Sequence, residues 1–141
     1  MALAHVLGVP RIGPNRELKF ALEKFWRGEI DAPALDAVGR AIRMRNCQKQ
    51  HDAGLDFVTV GDFAFYDQML NHILLLGCEP SRFGFKGEDA LTRSFVMARG
   101  QIQAGHSDCG AHGHCAGHSA APISTWALEM TKWFDTNYHY L

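Results

Sequence analysis

The sequence predicts an α/β fold in which parallel strands are joined by crossover helices, and three observations carry that prediction. Apolar runs at Leu3 to Val9 and Leu55 to Asp62 have strand composition, stretches of helical period follow each of them, and an aromatic run from Asn137 to Leu141 adds a late strand. Strand, helix, strand, helix and strand is the order that crossover connections require.

Taken in order, the first run is closed by Pro10 and Gly13, which suits a buried strand leading into a loop. A helix follows, with Asn15 as its expected N-cap and Leu18, Ala21, Leu22, Phe25 and Trp26 on one face, ending at Gly28. Arg16, Glu17, Lys19, Glu23, Lys24 and Arg27 fill the other face, where charge ordinarily serves solvation. Asp31 and Pro33 open a longer helix that repeats Leu35, Val38 and Ile42 and runs toward Gly54. After the second apolar run, Phe65 to Leu76 and Glu88 to Arg99 read as helices, joined by a connector from Pro80 to Gly87. Residues 101–125 are rich in Gly, Ala, Ser, His and Cys and predict a long flexible loop, because such a composition buries too little apolar surface to order itself. Trp126 onward predicts a short helix or turn feeding the last strand.

The 141 residues suit one domain, and 14 Lys+Arg against 15 Asp+Glu give a formal charge of −1, so no global field attracts nucleic acid or an anionic membrane. The longest apolar stretch, Ile73 to Cys78, is far shorter than a membrane span. The first residues lack the basic segment of a secretion signal, which predicts a cytoplasmic protein whose four Cys stay reduced. Cys47 and Cys78 read as small buried apolar residues rather than nucleophiles. Asp62 and Asp67 read as helix-capping carboxylates, and His139, between two tyrosines, as a hydrogen-bonded core residue.

Within the long loop, His106, Cys109, His112, Cys115 and His118 recur every three residues, with His114 added. Zinc takes four nitrogen or sulfur ligands, so these six residues are candidate metal ligands. The C-x2-C pairing of structural zinc sites is missing, and the alternative is an insertion that picks up metal weakly in vitro.

Three stretches carry a resemblance: Leu7-Gly8-Val9-Pro10-Arg11-Ile12-Gly13 with Arg16-Glu17-Leu18-Lys19, then Val60-Gly61-Asp62-Phe63-Ala64-Phe65-Tyr66-Asp67, then Glu129-Met130-Thr131-Lys132-Trp133-Phe134-Asp135-Thr136-Asn137-Tyr138-His139-Tyr140. Together they resemble the start of cobalamin-independent methionine synthase. That family has two (β/α)8 barrels and moves a methyl group from 5-methyltetrahydropteroyl-polyglutamate to homocysteine, whose thiolate is activated by zinc. The resemblance implies that residues 1–141 are the first strands and helices of the N-terminal barrel, incomplete, since a closed barrel needs about 250 residues. It also implies that Arg16, Glu17, Leu18, Lys19 and Lys132 bind the folate substrate, and charge-assisted bonds from Arg and Lys suit a string of carboxylates. The family's zinc ligands lie in the other barrel, so the expected contribution of this chain is folate binding without catalysis. An open strand edge predicts self-association. The alternative is a non-catalytic module that holds zinc through residues 106–118 or a partner through that edge.

Overall fold

In the computed structural model, which describes residues 2–102, 123–133 and 137–140, the chain divides into two units, residues 1–68 and 69–141. The first unit holds two helices, α1 (Glu17–Trp26) and α2 (Ala32–Asp52), which pack on each other. The expected stripe drives this packing: Leu18, Ala21 and Leu22 on α1 and Leu35 and Ile42 on α2 are buried. The Asp31 side chain caps α2 by accepting from the Ala34 amide at 2.9 Å, with Pro33 in the first turn. At the other end Gly54 donates to the His51 carbonyl at 2.9 Å and Leu55 to Gln50 at 3.3 Å, the paired closure that a left-handed glycine permits. Gly28 closes α1 by the same pair of bonds.

The two apolar runs expected as parallel strands do run side by side in the same direction, but neither is a β-strand. Ala4 accepts from the Asp56 amide at 3.0 Å, Thr59 Oγ1 donates to the Val6 carbonyl, and Asp62 Oδ2 accepts from the Val9 amide at 2.7 Å. Side chains thus replace most of a backbone ladder. Parallel strands need cover on both faces, whereas Leu7 is 93% and Val60 77% exposed, so the pair lacks the packing that would flatten it into a sheet. The pair is nevertheless tied to α2, because Gln50, buried, accepts from the Thr59 amide at 2.8 Å. Asp62 is therefore a staple for the first run rather than the helix cap expected of it.

The second unit begins within α3 (Gln68–Leu76), which starts three residues later than the sequence suggests, and continues through a 3₁₀ turn at Ser81–Phe83 to α4 (Ala90–Arg99). Asp89 caps α4 through the Thr92 amide at 3.0 Å. Leu70, Phe83, Phe95, Met97, Ala98 and Leu128 are its buried apolar residues, and the Leu128 amide donates to the Met97 carbonyl at 2.7 Å. Strands β1 (Gln101–Ile102) and β2 (Ile123–Thr125) pair antiparallel, so the two ends of the expected loop are strand; residues 103–122 lie outside the described residues. β3 (Met130–Trp133) and β4 (Asn137–Tyr140) also pair antiparallel, with Lys132 opposite Tyr138 and Thr131 opposite His139. The expected helix or turn after Trp126 is thus a strand at Met130–Trp133, and the late strand joins its near neighbour in sequence instead of a parallel sheet. Antiparallel neighbours need only a short connection, whereas a parallel pair needs a crossover.

Candidate functional site

The loop from Pro10 to Arg16 leads into α1 and sets the charged residues at its start. Gly13 takes a left-handed conformation (φ 83°), and its carbonyl accepts from the Arg16 amide at 3.1 Å. Arg16 itself has φ 59° and ψ 32°, alone among the described non-glycine residues in having a positive φ. For an L-residue this conformation costs on the order of 1–2 kcal/mol. Its carbonyl accepts from the Phe20 amide at 3.1 Å, so Arg16 occupies the cap position of α1 without a side-chain cap bond. Asn15, expected as the cap, instead donates its amide to Glu17 Oε2 at 3.0 Å. A left-handed Arg16 brings that amide within reach of the first helical carboxylate.

Glu17 is the most connected residue of the segment. Its Oε1 stands 2.9 Å from Arg45 Nη1 on α2. Its own backbone N–H, then Arg45 and the Asn15 amide, hold its carboxyl below the usual range against a smaller opposing effect of burial. The carboxylate lies over Gly13, where a Cβ would fall 2.0 Å from Oε2. Leu18 is fully buried, so its side chain serves the core, and its amide donates to the Ile12 carbonyl at 3.2 Å. Lys19 is exposed, its Nζ 3.8 Å from Glu23 Oε1 on the next turn. Arg16 is exposed as well. Lys132 lies on β3, in the second unit.

Two further arginines, Arg11 and Arg45, organise this region. Arg11, half-buried, donates from Nη1 to the carbonyls of Ala64 at 3.3 Å and Phe65 at 3.2 Å, tying the first loop to the segment after the second run. Burial pulls its pKa below the usual arginine value, opposed by the charges of Asp67 and Tyr66. Arg45 reaches Glu17 from 28 residues away, a pairing that no local pattern announces. Arg11 had a weak signal, a cation just behind a proline in an otherwise apolar run.

A cavity of about 150 Å³ lies between α2 and the second run, with Val9, Asn46, Cys47, Gln50, Asp62 and Phe63 in its wall. Cys47 is half-buried, as expected for a small packing residue, but Cys78 is exposed just beyond α3 and is not a core residue. The candidate metal ligands His106, Cys109, His112, His114, Cys115 and His118 lie outside the described residues. Among the described residues no group of three or more His, Cys, Asp or Glu could hold a metal ion. No helix of the described residues is long and apolar enough to cross a membrane.

In the first unit two extended runs lie beside a pair of packed helices, and the loop after the first run presents two exposed cations, Arg16 and Lys19, at the start of α1. The two cations and the positive dipole end of the helix favour anionic groups. The chain belongs to the family described as "Cobalamin-independent synthase, N-terminal domain", whose family model matches residues 3–141. It is 53% identical over 142 residues to a protein of Paraburkholderia xenovorans and 51% identical over 142 residues to one of Ralstonia pickettii, in each case across 100% of this chain. A protein of Vibrio cholerae is 53% identical over 143 residues. All three are named 5-methyltetrahydropteroyltriglutamate–homocysteine methyltransferase. The chain spans only 16–17% of the length of these relatives.

Proposed function

We propose that this chain is the opening part of the N-terminal domain of a methyltransferase that converts homocysteine to methionine, and that its share of the work is to hold the polyglutamate tail of 5-methyltetrahydrofolate. The observation that carries this reading is the exposed pair Arg16 and Lys19 at the start of α1, on a chain whose relatives are named for a triglutamate substrate. A triglutamate tail is a row of carboxylates, and a guanidinium and an ammonium one helical turn apart suit successive groups of it. Lys132 is a third cation of the same chemistry within the best-matching motif of the sequence.

Methyl transfer breaks the bond between the methyl carbon and the pterin N5, whose electron pair takes up a proton, and forms one to the homocysteine sulfur, which attacks as the thiolate. A zinc ion bound elsewhere in a complete enzyme would supply that thiolate by lowering the thiol pKa from about 8.5. The residues described here hold and orient the tail and leave the reacting atoms to the rest of the protein. The exposed apolar side chains of the first unit, Leu7 and Val60 above all, favour self-association of the isolated chain. Calorimetric titration tests the proposal: the full chain binds triglutamylated 5-methyltetrahydrofolate more tightly than the monoglutamyl form, and shows no homocysteine-dependent turnover with zinc added. Equal affinity for the two forms contradicts tail recognition, and turnover contradicts the division of labour.

A further inference from the structure

An anionic tail bound beside Arg16 and Lys19 meets a carboxylate of like charge, because Glu17 stands between them in the sequence and in the first turn of α1. Unpaired, Glu17 would repel the ligand that its neighbours attract. The structure pairs it. Arg45 Nη1 lies 2.9 Å from Oε1, while the Asn15 amide donates to Oε2 at 3.0 Å, so both carboxylate oxygens are engaged. Gly13 makes room for this arrangement: a Cβ there would stand 2.0 Å from Glu17 Oε2 and 3.2 Å from Arg45 Nη2. Nε and Nη2 of Arg45 are buried with no hydrogen-bond partner among the described residues, so Glu17 is the group to which the guanidinium is committed.

Resting on the tail-binding reading above, we infer that Arg45 is a positioning residue for the polyglutamate site: it neutralises Glu17 and draws its carboxylate across Gly13, leaving Arg16 and Lys19 to face the tail. Glu17 on this account touches no substrate. Ion pairs as exposed as this one, 36% and 28%, add little to stability, so the contribution of Arg45 lies in charge and placement.

The test is a double-mutant cycle on the full chain, with triglutamylated and monoglutamyl 5-methyltetrahydrofolate as ligands and far-UV circular dichroism as the check on folding. Arg45→Met exposes the Glu17 charge and weakens triglutamate binding about tenfold or more, the effect of one nearby repulsion of about 1.4 kcal/mol. The monoglutamyl form loses less. Arg45→Lys, which keeps the charge, retains most of the affinity. Glu17→Gln with Arg45→Met binds the triglutamate form more tightly than Arg45→Met alone, because no carboxylate remains to repel. If the double variant is as weak as Arg45→Met, Arg45 contacts the ligand itself and the inference fails. It fails equally if Arg45→Met binds like the unaltered chain. If the unaltered chain does not distinguish the two ligands, the tail-binding reading falls and takes this inference with it.

Discussion

Arg16 holds a backbone conformation that suits glycine, and two hydrogen bonds set it there: its amide to Gly13 and its carbonyl from Phe20. Strain of this kind persists where surrounding contacts over-determine a residue, and it occurs often at ligand-binding sites. Its neighbour Glu17 makes the region sensitive to acid. Because the folded-state pKa of Glu17 is lowered, its contribution to stability is complete above the unfolded carboxylate value of about 4.3 and is lost as pH falls through the folded value. Urea melts between about pH 7 and pH 3 therefore show a smaller loss of stability for Glu17→Gln than for the unaltered chain. Identical pH dependence of the two would show that the clasp with Arg45 and Asn15 does not form in solution. Arg16 and Lys19 stood out in the sequence only through a family resemblance, since charges on a helix face are ordinarily solvated. Arg45 could not be read there at all, because its role exists only once α2 packs beside α1.

The helices were the readable elements, and the reason is local chemistry. Asp31 and Asp89 each offer a carboxylate to an amide three residues on, and glycines at 28 and 54 close the helices where expected. Replacing Asp31 with Ala leaves the Ala34 amide unpaired and is expected to cost about 1 kcal/mol, read from the denaturation midpoint; Asp31→Asn should keep most of it. No change in Asp31→Ala would mean that packing of Leu35 and Ile42 alone fixes the start of α2. Strands were harder to read, since a strand is defined by what lies next to it. The alternating run Leu55 to Asp62 has the right residues, yet its partner run is held by Asp56, Thr59 and Asp62 side chains in place of a ladder. Met130–Trp133, in contrast, has a partner close by in sequence and pairs with it.

At the scale of the molecule, the chain belongs to the N-terminal domain family of the synthase and spans 16% of the length of its Paraburkholderia xenovorans relative. Its two units bury cores of their own, while Leu3, Leu7, Phe57 and Val60 remain at least half exposed on the extended runs of the first unit. Apolar surface left in water is what a sheet continued by further strands would cover. The near-neutral charge offers no global field for nucleic acid and the apolar stretches are short, whereas the substrate class proposed above rests on the resemblance and on the exposed cations at the start of α1.

The most direct measurement is a thermal melt of the 141-residue chain, followed by the fluorescence of Trp26, Trp126 and Trp133, with and without triglutamylated 5-methyltetrahydrofolate. Ligand that binds the folded state raises stability by RT ln(1 + [L]/Kd). The account predicts a cooperative transition that the ligand moves upward, by more than the monoglutamyl form does, with the shift abolished in Lys19→Ala. A cooperative transition that neither ligand moves would contradict it.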